Sequence, residues 1–246
     1  MKGLSPEAQH LHDQGWIPLP AVCTPSACQQ WAERCQSLSD GAGVGSRDLL
    51  DQDWCVELAM YLHGKARSLG LLPDDHVAVQ CNYFEKRADR NWLVPMHQDL
   101  SIAVAGRVAE TRASGWSIKQ GQQFVHAPDE VLPQMLALRL HLDPCSAEDG
   151  ALRVIPASHR EGRSVIGYVR DPEQVAQQCL AQIGDVLAMR PLLMHASSKS
   201  ASHSSSRRRV LHFVFGPPQL PWGLRWARSV AAAPDRSQLQ SRIRAS

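Results

Sequence analysis

The chain has 246 residues, of which 43% are hydrophobic and 20% charged, and its formal net charge is +2. This composition can form one sizeable core, and the balanced charge argues against a nucleic-acid or membrane-surface partner. The seven cysteines include no CxxC pair, which excludes zinc-ribbon and thioredoxin-type motifs and favours reduced thiols in a cytoplasmic protein. No apolar signal segment and no run of about 18 apolar residues occurs, so we expect no membrane span.

The first part of the chain, residues 1–72, is predicted to be mostly helical. Thr24 followed by Pro25 has the pattern of an N-cap and a first-turn proline, and the apolar residues after them recur at helical spacing. Two further helices are predicted, with a short extended piece, GWIPLP, in front of Thr24. The segments are 6–14 and 52–69 for the helices and 15–20 for the extended piece.

Beyond residue 72 the pattern changes to short segments of alternating polarity separated by turn signals. Because no regular helix lies between them, they favour an antiparallel sandwich or jelly roll over a parallel sheet. We therefore expect a single domain over 1–246. Its jelly-roll core spans 73–216, and a tail spans 217–246. The predicted strands are 77–86, 91–104, 135–143, 150–158, 185–195 and 208–215.

The long insert 105–134 shows no strand periodicity. A loop of this length inside a compact domain is usually functional or disordered. It carries Trp116, Lys119 and Gln120, which either belong to a lid that closes over a substrate or lie in a merely exposed loop.

The predicted strand VPMHQDLSIAV (94–104) carries two ionisable residues between apolar ones, His97 and Asp99. Residues two apart on a strand point to the same face, so both side chains are expected to enter one space while Gln98 points away. An imidazole beside a carboxylate provides two of the three ligands of a 2-His-1-carboxylate iron site. A His–Asp hydrogen bond at a strand end is the structural alternative.

A second histidine is needed to complete such a site, and position selects His195. This residue ends the predicted strand DVLAMRPLLMH and precedes a polar loop. Three ligands leave room on a metal for O2 and for the two chelating oxygens of a 2-oxo acid. The far carboxylate of that acid then requires a fixed cation, which suits the planar, permanently charged fork of arginine. Arg207, Arg208 and Arg209 open the next strand.

Four motifs resemble the phytanoyl-CoA dioxygenase-like family of Fe(II)/2-oxoglutarate oxygenases, in the family's order. They are HQD, DGALRVIPASH, GDVLAMRPLLMHAS and RRVLHF, within a resemblance that runs from about residue 8 to residue 215. The resemblance implies a double-stranded β-helix with flanking helices, and it implies that His97, Asp99 and His195 bind Fe(II). It also implies 2-oxoglutarate and O2 as co-substrates. Because halogenating relatives lack the carboxylate, Asp99 favours hydroxylation.

The co-substrate arginine and one glycine depart from the family's pattern. The family's cation commonly stands eleven residues after the distal histidine, where this chain has Ser206. Alignment on RRVLHF instead selects Arg208, with Arg207 and Arg209 as alternatives. Ala157 replaces the usual glycine, a change from which we expect little consequence.

Further candidates come from the strand at 77–86 and the residues after it. Gln80 and Asn82 share one strand face, where family members often place polar residues near the 2-oxoglutarate carboxylates; cross-strand hydrogen bonds are the alternative. Lys86 and Trp92 are predicted to line the mouth of the substrate pocket.

Two histidines are candidates for substrate contact. His141 shares a predicted strand face with Arg139 and Asp143, which indicates a satisfied core network first and a pocket lining second. His159 is predicted either to orient the substrate or to cap a turn. The expected substrate is a small organic metabolite, since loops rather than the scaffold determine its class.

Two other functions fit the same residues. One is a cupin-like metal dioxygenase or isomerase that uses no 2-oxo acid, and the other is an inert binding protein on the same fold. The first has no need of a buried arginine near the metal. The second would show a broken triad, whereas His97, Asp99 and His195 are all present.

Overall fold

The computed structural model describes residues 3–38, 49–87, 89, 91–109, 112–163, 175–201 and 207–231. Three helices lie in the first 68 residues, with one short strand between the first two, and they confirm the helical expectation to within about a residue at each end. Ser5 caps the first helix through a hydrogen bond from the Ala8 amide to its Oγ (3.0 Å). The helices are α1 (Pro6–Gln14), α2 (Pro25–Leu38) and α3 (Asp53–Ser68).

The described chain also contains thirteen short strands. They are β1 (Trp16–Leu19), β2 (Val77–Lys86), β3 (Val94–His97), β4 (Ser101–Val104), β5 (Ser117–Lys119), β6 (Gln122–His126), β7 (Leu136–His141), β8 (Leu152–Val154), β9 (Gln177–Cys179), β10 (Val186–Met189), β11 (His195–Ser197), β12 (Arg208–Gly216) and β13 (Val230–Ala231).

The strands pair into three antiparallel sheets. A six-stranded sheet has the order β1-β10-β7-β12-β2-β13, and a four-stranded sheet has the order β3-β11-β8-β9. A three-stranded sheet of β4, β6 and β5 extends the fold at one side. This arrangement is the mainly β fold with flanking helices that the sequence predicts.

Two predicted strands are broken in the structure. The segment 91–104 forms β3 and β4, which belong to different sheets, and Asp99 lies in the connection between them. The segment 185–195 forms β10 and β11, so His195 begins a strand rather than ending one. Both breaks occur where the chain passes the interior, and tertiary hydrogen bonds replace the strand ladder there.

Two regions expected to lack strands contain them. In the insert 105–134, β5 and β6 form a hairpin that pairs with β4. Gln120 and Gly121 turn this hairpin with φ values of 49° and 80°, as a two-residue turn requires. In the tail, β13 pairs with β2, so the fold extends past residue 216.

Alternation along the six-stranded sheet separates the main core from the interior between the sheets. Leu211, Phe213 and Phe215 point to one face and pack in the cluster that includes the helices. Arg208, Val210 and His212 therefore point to the opposite face, toward the four-stranded sheet. All seven cysteines are buried free thiols, and no helix in the described residues is long and apolar enough to cross a membrane.

Ala157 carries backbone strain that glycine would avoid. Its φ is 64°, in the left-handed region, where a side chain costs roughly 1–2 kcal/mol. The replacement of the usual glycine thus has an energetic consequence that the sequence analysis did not expect.

Candidate metal centre

Three side chains converge between the two larger sheets. His97 of β3 and His195 of β11 are cross-strand partners, and their ring centroids are 4.2 Å apart. Asp99 lies between them, with Oδ1 3.7 Å from His97 Nε2 and Oδ2 3.6 Å from His195 Nε2. One ligand atom from each residue lies within 4.8 Å of the other two.

Backbone carbonyls orient both imidazoles. His97 Nδ1 is 2.8 Å from the Pro95 oxygen, and His195 Nδ1 is 2.8 Å from the Leu193 oxygen. A carbonyl only accepts, so each Nδ1 carries the proton and each Nε2 presents its lone pair to the space near Asp99. Two imidazoles oriented by these hydrogen bonds, together with one carboxylate, fit the facial donor set of a non-haem Fe(II) site.

A run of three carbonyls, which we call the 191–193 segment, holds the site together. The Pro191 oxygen accepts from the Asp99 amide at 2.9 Å. The Leu192 oxygen accepts from Gln98 Nε2 at 2.6 Å, and the Leu193 oxygen is the partner of His195 Nδ1. The connection between β3 and β4 is thereby fixed to the turn that precedes β11.

The charges of the site match what a metal requires. Burial lowers the pKa of His195 to about 4, although the Asp99 carboxylate opposes that shift. Burial alone would raise the pKa of Asp99, but His195, His97 and His212 together hold it well below its usual range. At neutral pH the site therefore offers a neutral His195 and an ionised carboxylate, which are the forms that bind metal.

The three candidate arginines have different surroundings. Arg208 is 4% exposed and faces the interior, where its Nη1 donates to the Gly150 oxygen and to Ser197 Oγ. Arg209 points to the other face and forms a two-point ion pair with Asp143 (2.7 and 2.6 Å). Arg207 is exposed, with Nε 3.9 Å from a Glu85 oxygen. Only Arg208 reaches the interior.

The interior network around Arg139 and His141 differs from the predicted one. Strand β7 ends at His141, so Asp143 lies beyond it. Asp143 therefore pairs with Arg209 instead of sharing the strand face of Arg139. Arg139 Nη1 contacts His212 Nδ1 at 3.3 Å. This network is not fully satisfied: four of its buried polar atoms have no hydrogen-bond partner among the described residues. These atoms are Arg139 Nε, His141 Nδ1, Arg208 Nε and Asn82 Oδ1.

A cavity of about 300 Å³ opens beside the three converging side chains. Of the sequence-predicted residues, it brings Gln80, Asn82 and Lys119 together with His97 and Asp99. Its other lining residues are Val79, Gln98, Leu100, Ser101, Ile102, Phe124, Met135, Ala137, Pro191, His212, Val214 and Trp226.

Among the lining residues that sequence reasoning missed are His212 and Trp226. His212 has Nε2 3.9 Å from Asp99 Oδ2, and its position two residues past Val210 on the face of Arg208 was the available signal. Trp226 comes from the tail, where no local pattern pointed to the cavity.

The remaining predicted residues lie away from this cavity. Trp116 donates from Nε1 to the Ala113 oxygen at 3.1 Å and packs under Arg107. His159 lines a second cavity of about 350 Å³, and its Nε2 is 3.1 Å from the His12 oxygen. Lys86 is 1% exposed and so does not stand at a pocket mouth, while Trp92 stacks over its ammonium at 5.2 Å. The position of Ser206 is outside the described residues.

Comparison with known proteins gives one family match. A family model described as phytanoyl-CoA dioxygenase matches residues 11–210. No curated protein sequence matches the chain. The match covers most of the chain, including the first three motifs that carried the resemblance and the first three residues of RRVLHF.

Solved structures share the fold at low sequence identity. HygX from Streptomyces hygroscopicus, with nickel and 2-oxoglutarate bound, is 16% identical, with 87% of each chain covered and a TM-score of 0.58. SnoK, a non-haem alpha-ketoglutarate-dependent carbocyclase from nogalamycin biosynthesis, is 17% identical over 96% of this chain and 95% of its own, with a TM-score of 0.61. ThoJ, a non-haem monooxygenase, is 15% identical over 94% of this chain and 84% of its own, with a TM-score of 0.63. These similarities confirm the predicted jelly-roll fold.

Proposed function

The chain belongs to the phytanoyl-CoA dioxygenase family, and from this premise we propose that it is an Fe(II)- and 2-oxoglutarate-dependent dioxygenase. The proposed reaction hydroxylates an aliphatic C–H bond of a small organic metabolite. When bound, Fe(II) and 2-oxoglutarate supply an O2-dependent oxidation in which 2-oxoglutarate loses CO2 and becomes succinate. His97, Asp99 and His195 would hold the metal.

The observation that carries the proposal is the joint presence of the triad and a buried arginine without an acidic partner on its strand face. Arg208 is oriented toward the interior, and its Nε has no partner in the described part of the chain. Leaving a buried cation without a counter-ion is costly. A dicarboxylate chelated at the triad would bring the missing charge, with the arginine fork receiving the far carboxylate.

The chain's own residues have distinct tasks in this proposal. The carbonyls of Pro95 and Leu193 keep the protons of the two histidines on Nδ1, so that Nε2 stays free for the metal. The carboxylate of Asp99 stays ionised and holds a coordination position. Apolar lining residues of the cavity, including Phe124 and Met135, exclude water from the reacting C–H bond.

Gln80 and Asn82 line the same cavity on adjacent inward positions of β2. Asn82 Oδ1 is buried and unpaired within the described residues. We assign both amides to the co-substrate side of the cavity, where an amide can donate to a carboxylate oxygen.

A metal enzyme that uses no 2-oxo acid is the competing function. Its site has no requirement for a buried cation such as Arg208, so the arginine favours the co-substrate. SnoK and SnoN are described as a carbocyclase and an epimerase, which shows that this fold serves outcomes other than hydroxylation. The product of the reaction therefore decides between hydroxylation and those outcomes.

The test is anaerobic addition of Fe(II) and 2-oxoglutarate to the full chain. The proposal expects a weak visible charge-transfer band and, after O2 is admitted, succinate formation. Asp99→Ala should lose both while the metal-free protein keeps its melting temperature, and Asp74→Ala, at an exposed carboxylate, should behave as wild type. A wild-type protein that binds Fe(II) but gives neither band nor succinate would contradict the proposal.

A further inference from the structure

The second cavity, of about 350 Å³, is separate from the one beside the triad. Its volume is within the range of small-molecule binding pockets, and no described residue lines both cavities. Gln98 stands between them. It lines the cavity at the triad, and its Nε2 donates to the oxygens of Gly162 (2.8 Å) and Leu192 (2.6 Å), two residues that line the second cavity. A molecule in the second cavity therefore leaves the metal position free.

Gly15, directly after α1, brings the walls of the second cavity together. Its φ is 81° and its oxygen accepts from the Arg190 amide at 2.8 Å. A Cβ at this position would lie 2.4 Å from His159 Nδ1, so glycine leaves the room that the imidazole occupies. His159 Nε2 donates in turn to the His12 oxygen at 3.1 Å. The walls are thus fixed to the end of a helix by bonds within the polypeptide, and the cavity is formed before any ligand arrives.

Arg190 lines this cavity as a partly buried cation without an anion. Its Nη1 donates to the Met135 oxygen at 3.2 Å, and the guanidinium carries several further N–H donors. Burial alone lowers the pKa of Arg190, because no charged group among the described residues acts on it. Arg163 and Arg209 are also partly buried, and each pairs with an aspartate. A cation that has lost part of its hydration without gaining a counter-ion favours the binding of an anion.

The other ionisable side chains at this cavity contribute little free charge. Arg160 is exposed, and its Nη2 donates to Asp13 Oδ1 at 2.7 Å. His12 contacts the same oxygen through Nδ1 at 3.1 Å. Burial, chiefly, lowers the pKa of His159, so its ring is neutral at neutral pH. Within the described part of the chain, Arg190 is therefore the unpaired full charge at this cavity, and one such charge matches a monoanion.

Apolar side chains form much of the rest of the second cavity. They belong to Leu132, Pro133 and Leu192. An apolar body gains free energy when it is buried against such side chains, whereas a hydrated inorganic anion gains nothing from them. The combination of several apolar walls with one oriented charged group is typical of a site for a small organic ligand.

We propose that the second cavity binds a small carboxylate that has an apolar body, and that Arg190 receives the carboxylate. The planar fork of arginine can bind both oxygens of a carboxylate. Leu132, Pro133 and Leu192 then contact the apolar body. This site is independent of the proposed function, because it shares no lining residue with the cavity at the triad.

The experiment is calorimetric titration of the full metal-free chain, at constant ionic strength, with three probes. They are benzoate, its neutral isostere benzamide, and inorganic phosphate. Benzoate should bind, and the other two should bind at least about 10-fold more weakly, because benzamide lacks the charge and phosphate lacks the apolar body. Benzamide binding as tight as that of benzoate would overturn the role of the charge. Phosphate binding as tight as that of benzoate would overturn the proposed ligand class.

Two substitutions locate the bound carboxylate. Arg190→Met should weaken benzoate binding about 10- to 100-fold, from the loss of one charge-assisted contact, and Arg67→Met, at an exposed arginine of α3, is the matched control. Pro133→Glu leaves Arg190 in place and adds a carboxylate at an exposed lining position. It should also weaken benzoate binding, while the uncharged Pro133→Gln should not.

Three results would refute the second site. They are a wild-type protein that does not bind benzoate, an Arg190→Met protein that binds it as tightly as wild type, and a Pro133→Glu protein that does so. None of these results bears on 2-oxoglutarate binding or succinate formation, so the proposed function is tested separately.

Discussion

Asp143→Ala should destabilise the fold without removing the co-substrate cation. Asp143 accepts three hydrogen bonds from Arg209, from its amide at 2.9 Å and from Nε and Nη2 at 2.7 and 2.6 Å. The two side chains are only 15% and 14% exposed. The substitution therefore leaves the Arg209 guanidinium largely buried and without its anion.

The expected loss is about 2 to 4 kcal/mol of unfolding free energy. Breaking a buried ion pair from one side costs about 3–5 kcal/mol, and the partial exposure of both partners places this pair toward the lower part of that range. For a chain of this size, each kcal/mol corresponds to roughly 2–4 °C in melting temperature. The variant should therefore melt about 5 to 15 °C below wild type.

Thermal unfolding followed by circular dichroism measures the shift. Asp13→Ala is the control, because it removes contacts with Arg160, Gln9 and His12 whose side chains are about half exposed or more, and it should change stability little. Below its melting temperature, Asp143→Ala should still bind 2-oxoglutarate. A stable Asp143→Ala protein that has lost 2-oxoglutarate binding would show that Arg209, not Arg208, is the co-substrate cation.

Two further predictions concern a glycine and a buried histidine. Gly150→Ala places a Cβ 2.3 Å from the Ser198 oxygen, so it should lower stability and weaken 2-oxoglutarate binding through Arg208, whose Nη1 donates to the Gly150 oxygen. Gly121→Ala, with similar φ (+80° against +68°) but no atom within 4 Å, should show only the backbone strain in denaturant unfolding. Burial, with Arg139 and Arg208, lowers the pKa of His141 to about 3, below its unfolded value of about 6.5. The metal-free fold should therefore lose stability as pH falls below about 6.5; unfolding at pH 7 and pH 5 should show a smaller loss in His141→Leu, and an equal loss would refute the role of this histidine.

The strand faces were predictable because alternation is a local property of the sequence. Period two along RRVLHF placed Arg208 and His212 on one face and Arg209 on the other, and the structure has this arrangement. The resemblance placed His97 and His195 in one site, and they are cross-strand partners. Both inferences needed only spacing within a strand and the order of motifs along the chain.

The breaks and the buried lysine were not predictable in this way. Asp99 leaves the strand because its amide bonds to the Pro191 oxygen, far away in sequence. Lys86 is buried because Ser197, 111 residues downstream, supplies an acceptor. A lysine at a strand end ordinarily marks a surface, so the sequence pattern pointed to a pocket mouth. Such placements depend on tertiary partners that no window of the sequence contains.

The 191–193 segment has a consequence for how the site meets its metal. Its three carbonyls fix Asp99, Gln98 and His195 through bonds within the polypeptide alone. The entropy of ordering the ligands is thus lost when the chain folds, and little of it remains to be lost when an ion binds. Such a site tolerates exchange of one divalent ion for another, and a chelator should strip it without unfolding the protein, in contrast to domains whose fold depends on the metal.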